Sequence, residues 1–163
     1  MTRLRFGAAA IASLFLLAMF AATAQSAISI YENSEAATFL GKIRKGKCKV
    51  KGTGRNKRFH AGGKTTNGAY TLDITILGFK GFGKDYDIHY GDISTTVDVE
   101  GTRSADDFSN AFPFPGGQPP SSAGSIAFAR GGDKVGAGAY GLANADYSRG
   151  VAVAGKMRCR YPS

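Results

Sequence analysis

An alternation of side chains near the C-terminal end constrains the fold of this chain most. Across residues 151–161 the odd positions carry Val, Val, Gly, Met, Cys and Tyr, and the even positions carry Ala, Ala, Lys, Arg and Arg. Successive side chains of a β-strand point to opposite faces, so a period of two indicates a strand with one apolar face. The apolar face contains Cys159, and the other face carries Lys156, Arg158 and Arg160.

The same pattern occurs around the second cysteine. Cys48 and Val50 alternate with Lys47, Lys49 and Lys51, so this strand also places its cysteine on the inner face and its lysines on the outer face. Ile43 is out of phase with Cys48 and Val50 across Gly46, which predicts a bulge or the beginning of the strand there.

A β-hairpin is predicted over residues 58–78. Residues 70–76 place Tyr, Leu, Ile and Ile at alternate positions, and Asn67-Gly68 precedes them. Asn-Gly favours a type I′ turn, in which both central residues have positive φ. Shorter alternating segments follow at 86–90, 97–100 and 124–129, and the glycine-rich residues 131–141 are read as either a loose strand or a loop.

These segments together predict an all-β domain. About seven or eight short antiparallel strands, separated by turn signals, are typical of a β-sandwich or a small closed β-barrel. The composition agrees with a folded core, because 43% of the residues are hydrophobic and 20% are charged.

The N-terminal segment is predicted to be a secretory signal peptide, residues 1–24, preceding a single exported β domain, residues 25–163. Arg3 and Arg5 lead into the apolar residues 6–20, and Ala22-Thr23-Ala24 offers small residues at the positions that a signal peptidase reads. Cleavage after Ala27 is the alternative. The apolar centre is about 15 residues long, shorter than the roughly 20 that span a bilayer, so export to the periplasm or the exterior is favoured over a membrane anchor.

The two cysteines, Cys48 and Cys159, are predicted to form one disulfide. An exported chain enters an oxidising compartment, and only one intramolecular bridge can form from two cysteines. The bridge would join the first part of the domain to the last. A redox pair would more often have its cysteines close together in sequence.

Charge is distributed unevenly along the chain. Residues 42–84 contain twelve Lys or Arg and one acid, Asp73, whereas residues 85–107 contain seven acids and one base, Arg103. The two blocks either pair with each other or form a bipolar surface whose positive side faces an anionic partner.

Residues 103–122 are predicted to be an irregular loop, because Pro113, Pro115, Pro119 and Pro120 remove donors that an internal strand needs. The loop contains three phenylalanines, Phe108, Phe112 and Phe114. They either pack the loop onto the core or form an exposed aromatic lid over a ligand.

A second aromatic segment follows the hairpin. Phe79 and Phe82 alternate with Lys80 and Lys84 in a glycine-rich turn. This segment either caps the core with its aromatic rings or contacts a membrane surface.

No catalytic, metal or cofactor site is predicted. His89 with Asp85, Asp87 and Asp92 is the grouping that comes nearest to one, offering a general base or hard calcium ligands. The calcium-loop pattern, zinc motifs and the Gly-X-Ser-X-Gly elbow are all missing from the sequence. A hydrolase using His89 therefore ranks third among the functional hypotheses, and an enzyme is not the favoured class.

The favoured hypothesis is a non-enzymatic exported binding or surface protein with a basic strand face. If the two cysteine strands are neighbours in one sheet, their outward cations share that face. The predicted anion-binding residues are Lys47, Lys49, Lys51, Lys156, Arg158 and Arg160. Predicted partners are lipid head groups, lipopolysaccharide or acidic polysaccharide; nucleic acid is disfavoured because cations and aromatics do not interleave on one strand.

The second hypothesis is a β-barrel carrier of a small apolar ligand. The interior would be lined by Tyr70, Leu72, Ile126 and Phe128, and residues 103–122 would form the lid.

Overall fold

The computed structural model describes residues 27–33, 37–112 and 122–162, and it folds them into one 11-stranded β-sheet. The predicted signal peptide, residues 1–24, lies outside the described residues. In chain order the elements are β1 (Ile28–Glu32), β2 (Phe39–Ile43), β3 (Lys45–Lys51), a 3₁₀ turn (Gly54–Asn56), β4 (Arg58–Lys64), β5 (Tyr70–Leu77), β6 (Tyr86–Ile88), β7 (Thr95–Gly101), β8 (Asp107–Ser109), β9 (Gly124–Phe128), β10 (Lys134–Ala143) and β11 (Gly150–Arg160).

The all-β class is confirmed, but the predicted count of seven or eight strands is wrong. The sequence reading missed β1 and β2, whose five residues each alternate too briefly to stand out. It also left residues 131–141 undecided, whereas β10 is a ten-residue strand whose buried positions are mainly Val and Ala. Small side chains on β10 pack a face without producing a strong hydrophobic period.

Seven of the strands pair in a closed ring. Along the sheet β11, β3, β4, β5, β7, β8 and β10 are successive neighbours, and β10 pairs again with β11. The pairing of β11 with β3 is parallel, so the expectation of purely antiparallel strands is also wrong. These two strands are the first and last of the ring, and they run in the same direction because the six pairings that lead from β3 to β11 are all antiparallel and their number is even.

One face of this sheet forms the hydrophobic core. The buried positions alternate along β5 and β7 as the sequence predicted. The largest fully buried side chains are aliphatic, Phe or Met. Phe59, Ile74 and Val97 lie on three neighbouring strands and are completely buried. The opposite faces of the same strands carry the charged residues, so the sheet separates an apolar interior from a polar exterior.

Gly155 is placed where β11 changes its neighbour. Up to Gly155 the strand pairs with β1, and from Arg158 it pairs with β3. Gly155 has φ +124°, and a Cβ there would lie 2.1 Å from the carbonyl oxygen of Ala27. Both the dihedral and the close approach require glycine, and the local bend lets one strand serve two partners in succession.

The predicted hairpin is formed by β4 and β5, and only its turn type differs. Gly68 has positive φ, but Asn67 does not, so this is not a type I′ turn. The Gly68 amide instead donates to the carbonyl of Thr65, and Thr65 pairs with Tyr70 beyond it. The Asn67 side chain donates to the carbonyl of Leu40, which ties the turn to the outer strand β2 and favours this conformation.

Cys48 and Cys159 form the predicted disulfide, which spans 111 residues of sequence. A stable bridge is typical of oxidising compartments such as the periplasm or the extracellular space. In the described part of the chain, no helix has the length and apolarity needed to cross a membrane.

The prediction that residues 103–122 are wholly irregular is wrong at its beginning. Asp107–Ser109 forms β8, which pairs with β7 and β10 before the prolines begin. Phe108 is completely buried in the core under the Arg149 guanidinium, at 5.6 Å from its carbon to the ring centroid. Phe108 is therefore not a lid residue. Phe112 is half-buried, and Phe114 lies outside the described residues with the rest of 113–121.

Candidate functional site

The parallel pairing of β3 and β11 places the cations of the two cysteine strands side by side. Arg160 lies opposite Lys47, and Arg158 lies opposite Lys45. All four side chains are exposed. The condition on which the basic face depended, that the two strands are neighbours in one sheet, is therefore met.

The charge on the outer face changes sign across the sheet. One row of cross-strand neighbours runs from Arg160 through Lys47, Gly62 and Asp73 to Asp98. The cations lie on β11 and β3, and the acids lie on β5 and β7. Burial raises the pKa of Asp98, against the hydrogen bonds from neighbouring hydroxyls that lower it. The cations and acids of this row thus occupy separate parts of one surface, with Gly62 of β4 between them.

A groove with a volume of about 580 Å³ lies on the basic part of this face. Gly62 belongs to its lining and has no side chain to fill the space beside Asp73. Lys47 and Lys49 lie on one side, and Arg160 is at the end of β11. The described residues that line it are Lys47, Cys48, Lys49, His60, Gly62, Gly63, Thr71, Asp73, Arg160, Tyr161 and Pro162.

A histidine–aspartate pair lies in the groove. His60 Nε2 is 2.8 Å from Asp73 Oδ1, and both side chains are more than a third exposed. Gly62 lies between them on the outer face, and a Cβ at Gly62 would come within 2.6 Å of Asp73 Oδ1. Glycine at this position leaves the space in which the pair meets.

Tyr161 forms a wall of the groove at the end of β11. Its hydroxyl donates a 2.8 Å hydrogen bond to the carbonyl of Gly132, which fixes the last residues of the chain against the turn between β9 and β10. Burial raises the pKa of this hydroxyl, and Asp133 adds to the effect. The phenol therefore remains neutral at physiological pH.

Only part of the predicted basic set lines the groove. Lys47, Lys49 and Arg160 do so. Lys51 lies beyond them opposite Arg58. The two remaining cations lie on β11 outside the groove lining, and Arg158 has Lys45 of β3 on one side and β10 on the other. Arg158 is opposite Lys134, and Lys156 is opposite Gly136.

The His89 grouping lies elsewhere, after β6. The carbonyl of His89 accepts a 2.9 Å hydrogen bond from Asn110 Nδ2, and hydrogen bonds from Ser94 lower the pKa of Asp92. Asp92 is thus occupied in capping a turn. Across residues 27–33, 37–112 and 122–162, no group of three or more His, Cys, Asp or Glu side chains is placed to hold a metal ion.

Sequence reasoning missed the His60–Asp73 pair although the signal was present. In a hairpin centred between Asn67 and Gly68, residue 62 faces residue 73 and residue 60 faces residue 75, and the structure has this register. His60 and Asp73 then lie diagonally on the outer face, within reach of a long side chain. Alternation identifies the buried side of the hairpin, whereas this pair is found only by comparing outward positions across its two strands.

The chemistry available in the groove is that of anion recognition. Lysine and arginine donate charged hydrogen bonds to phosphate, sulfate or carboxylate, and arginine can do so with two parallel bonds. Among the described lining residues, hydroxyls come from Thr71 and Tyr161 only, and Cys48 is held in the disulfide. The histidine–aspartate pair thus has no activated serine or thiol beside it. Comparisons with protein-family models, curated proteins and solved structures find no match for this chain.

Proposed function

We propose that this protein is an exported, non-enzymatic binding protein that holds an anionic partner on the outer face of β3, β4 and β11. The observation that carries the proposal is the parallel register that places Arg160 beside Lys47, at a groove whose glycine lining leaves room for a ligand. The partner carries phosphate, sulfate or carboxylate groups, as lipid head groups, lipopolysaccharide and acidic polysaccharides do.

The spacing of the cations supports a ligand with repeated charges. Lys47 and Lys49 point to the same face of β3, where alternate residues are about 6.7 Å apart. Arg160 adds a third cation from the neighbouring strand. A linear polyanion can contact several of these groups together, whereas a single small anion can contact only one or two. Binding should accordingly weaken steeply as salt concentration rises.

The test is the affinity of the oxidised protein for two soluble polyanions, a sulfated dextran and polygalacturonate, measured by titration calorimetry across a salt series. Lys49→Glu and Arg160→Glu should each lower affinity about 30-fold at low salt, because removing a cation and adding an anion changes the contact energy by about 1 kcal/mol for each charge. Arg103→Glu is the matched control, since Arg103 is exposed on the acidic side of the sheet. Equal losses in all three variants would show an effect of net charge alone and would refute the groove.

The apolar-carrier hypothesis is the alternative, and the described residues do not favour it. Leu72 and Ile126 are completely buried in the packed core, and Tyr70 and Phe128 pack against it. The ring of strand pairings supports the closed-barrel form, with an interior occupied by its own side chains. A carrier would retain its ligand at high salt, so native mass spectrometry of the purified protein at high salt tests this alternative. A bound species under those conditions would favour the carrier over the basic groove.

A further inference from the structure

A cluster of aromatic rings closes the end of the sheet at which β3, β5, β9 and β11 meet their loops. Phe79 lies at its centre, with ring centroids 5.3 Å from Phe59, 5.3 Å from Phe82 and 5.4 Å from Phe128. Tyr86 stacks on Phe79 at 5.5 Å. We call this group the aromatic end.

The outer members of the aromatic end are partly exposed. Leu77, Phe82 and Tyr161 expose 37%, 38% and 40% of their surface. Phe79, which packs against Phe82, is almost completely buried. Phe82 and Tyr161 thus pack against this end of the sheet and also present apolar surface to the outside.

Cations surround these exposed apolar groups. The strand ends and loops here carry Lys51, Arg55, Lys57, Arg58, Lys80, Lys84, Arg130 and Arg160. The loops between β5 and β6 and between β9 and β10 also carry two acids, Asp85 and Asp133. Lys57 Nζ lies 5.8 Å from the centroid of the Phe79 ring. The aromatic end is therefore both apolar and strongly positive.

The aromatic end is continuous with the groove. Tyr161 lines the groove and also meets Phe82, with ring centroids 6.2 Å apart. Phe82 in turn lies against Gly132, where a Cβ would be only 2.7 Å from its ring. A ligand bound across Lys47 and Arg160 would therefore extend directly onto exposed aromatic surface.

We propose that the anionic partner is a lipid bilayer surface, with the aromatic end placed in the head-group region and the groove binding anionic head groups. A polysaccharide offers charge but no apolar layer to receive Phe82 and Leu77. A bilayer interface offers both: phosphates attract the cations, and aromatic side chains favour the boundary between head groups and acyl chains. This inference depends on the function proposed above, because the groove supplies its head-group contacts.

The experiment uses tryptophan as a reporter, since the chain contains none. Phe82→Trp is mixed with vesicles of phosphatidylcholine alone or with one quarter phosphatidylglycerol. With the anionic vesicles, its emission should shift to the blue and be quenched by brominated acyl chains. Phe39→Trp is the matched control, because Phe39 is a phenylalanine that is 53% exposed. Phe39 pairs through Tyr31 with Ala152, about 26 Å along β11 from Arg160.

Partition coefficients provide a second measurement, by vesicle sedimentation. Lys80→Gln with Lys84→Gln should weaken binding about 30-fold, since each lysine near an anionic surface contributes about fivefold. Phe82→Ala should weaken it about 10-fold by removing apolar area. The lysine pair is exposed and tests the inference even if Phe82→Ala fails to fold.

The outcomes separate the two proposals. Binding to sulfated dextran without binding to anionic vesicles would overturn the lipid inference and leave the anion-binding function in place. Vesicle binding with no blue shift at Phe82→Trp, and no loss in the lysine double variant, would also overturn it. Failure to bind either probe would overturn both. Equal partitioning onto neutral and anionic vesicles would overturn the role of the cations.

Discussion

Removing the disulfide should destabilise this protein by about 5 kcal/mol. In the double variant Cys48→Ala, Cys159→Ala the unfolded chain is free of a loop closed across 111 residues. The chain-entropy relation for a loop of that length gives about 16 cal/mol/K, or about 5 kcal/mol at 25 °C. Small domains are typically stable by about 5 to 15 kcal/mol, so the loss is a large fraction of the total.

The same change should also affect the groove. Only Lys45–Lys47 of β3 pair with Arg158–Arg160 of β11, and the disulfide lies beside this short ladder. Without it, we expect the end of β11 to separate from β3 more readily and to move Arg160 away from Lys47. Affinity for sulfated dextran should fall even under conditions in which the rest of the sheet remains folded.

The assay is urea unfolding followed by far-ultraviolet circular dichroism, with the oxidised protein and the double variant in the same buffer. Reduced protein with blocked thiols provides a second version of the same comparison. A difference in unfolding free energy below about 1 kcal/mol, with similar slopes against urea, would refute the loop-closure reasoning. It would mean that the unfolded chain is already compact between the two cysteines.

Three further predictions concern the framework. Asn110→Ala should lower the free energy of unfolding by about 3 kcal/mol or more, measured in urea. The buried Asn110 side chain accepts a hydrogen bond from the Val97 amide and donates to three backbone carbonyls. A loss below about 1 kcal/mol would contradict this prediction. Gly155→Ala should lower the free energy of unfolding by at least about 2 kcal/mol, because residue 155 has positive φ and a Cβ there would meet the Ala27 carbonyl. An unchanged urea midpoint would show that β11 relaxes freely. Burial raises the pKa of Asp98, so folding favours its protonated form. The contribution of Asp98 to stability is therefore present at low pH, and it decreases as pH rises from about 4 through the pKa in the folded protein. Asp98→Asn should therefore be more stable than the parent protein at pH 7, with a difference that shrinks toward pH 3; a pH-independent difference would contradict this assignment.

The local strand pattern was readable because a half-buried strand repeats with period two. Residues 151–161 and 70–76 alternate over enough positions to stand out, and residues 151–160 and 70–76 are strands in the structure. Residues 28–32 and 39–43 are strands as well, but so few residues give too short a period. The choice of turn at Asn67-Gly68 depended on a hydrogen bond to Leu40, 27 residues away in sequence, which no local pattern reveals.

The candidate site divides in the same way. Alternation predicted that Lys47, Lys49 and Arg160 point outward, since each flanks an inward position on its strand. The hairpin register that joins His60 to Asp73 was also within reach of the sequence. The parallel pairing of β3 and β11 was not, because it joins residues more than a hundred positions apart and follows from how the intervening strands return.

Sequence alone thus determined the all-β class, the inward and outward sides of each long strand, and the cysteine pair, because these depend on neighbouring residues or on having only two cysteines. The tertiary structure decided which strands became neighbours. It joined Lys47 to Arg160, left the space above Gly62 open and placed Tyr161 between the groove and Phe82. Those contacts depend on the order and direction of all the strands, a global property that no short segment encodes.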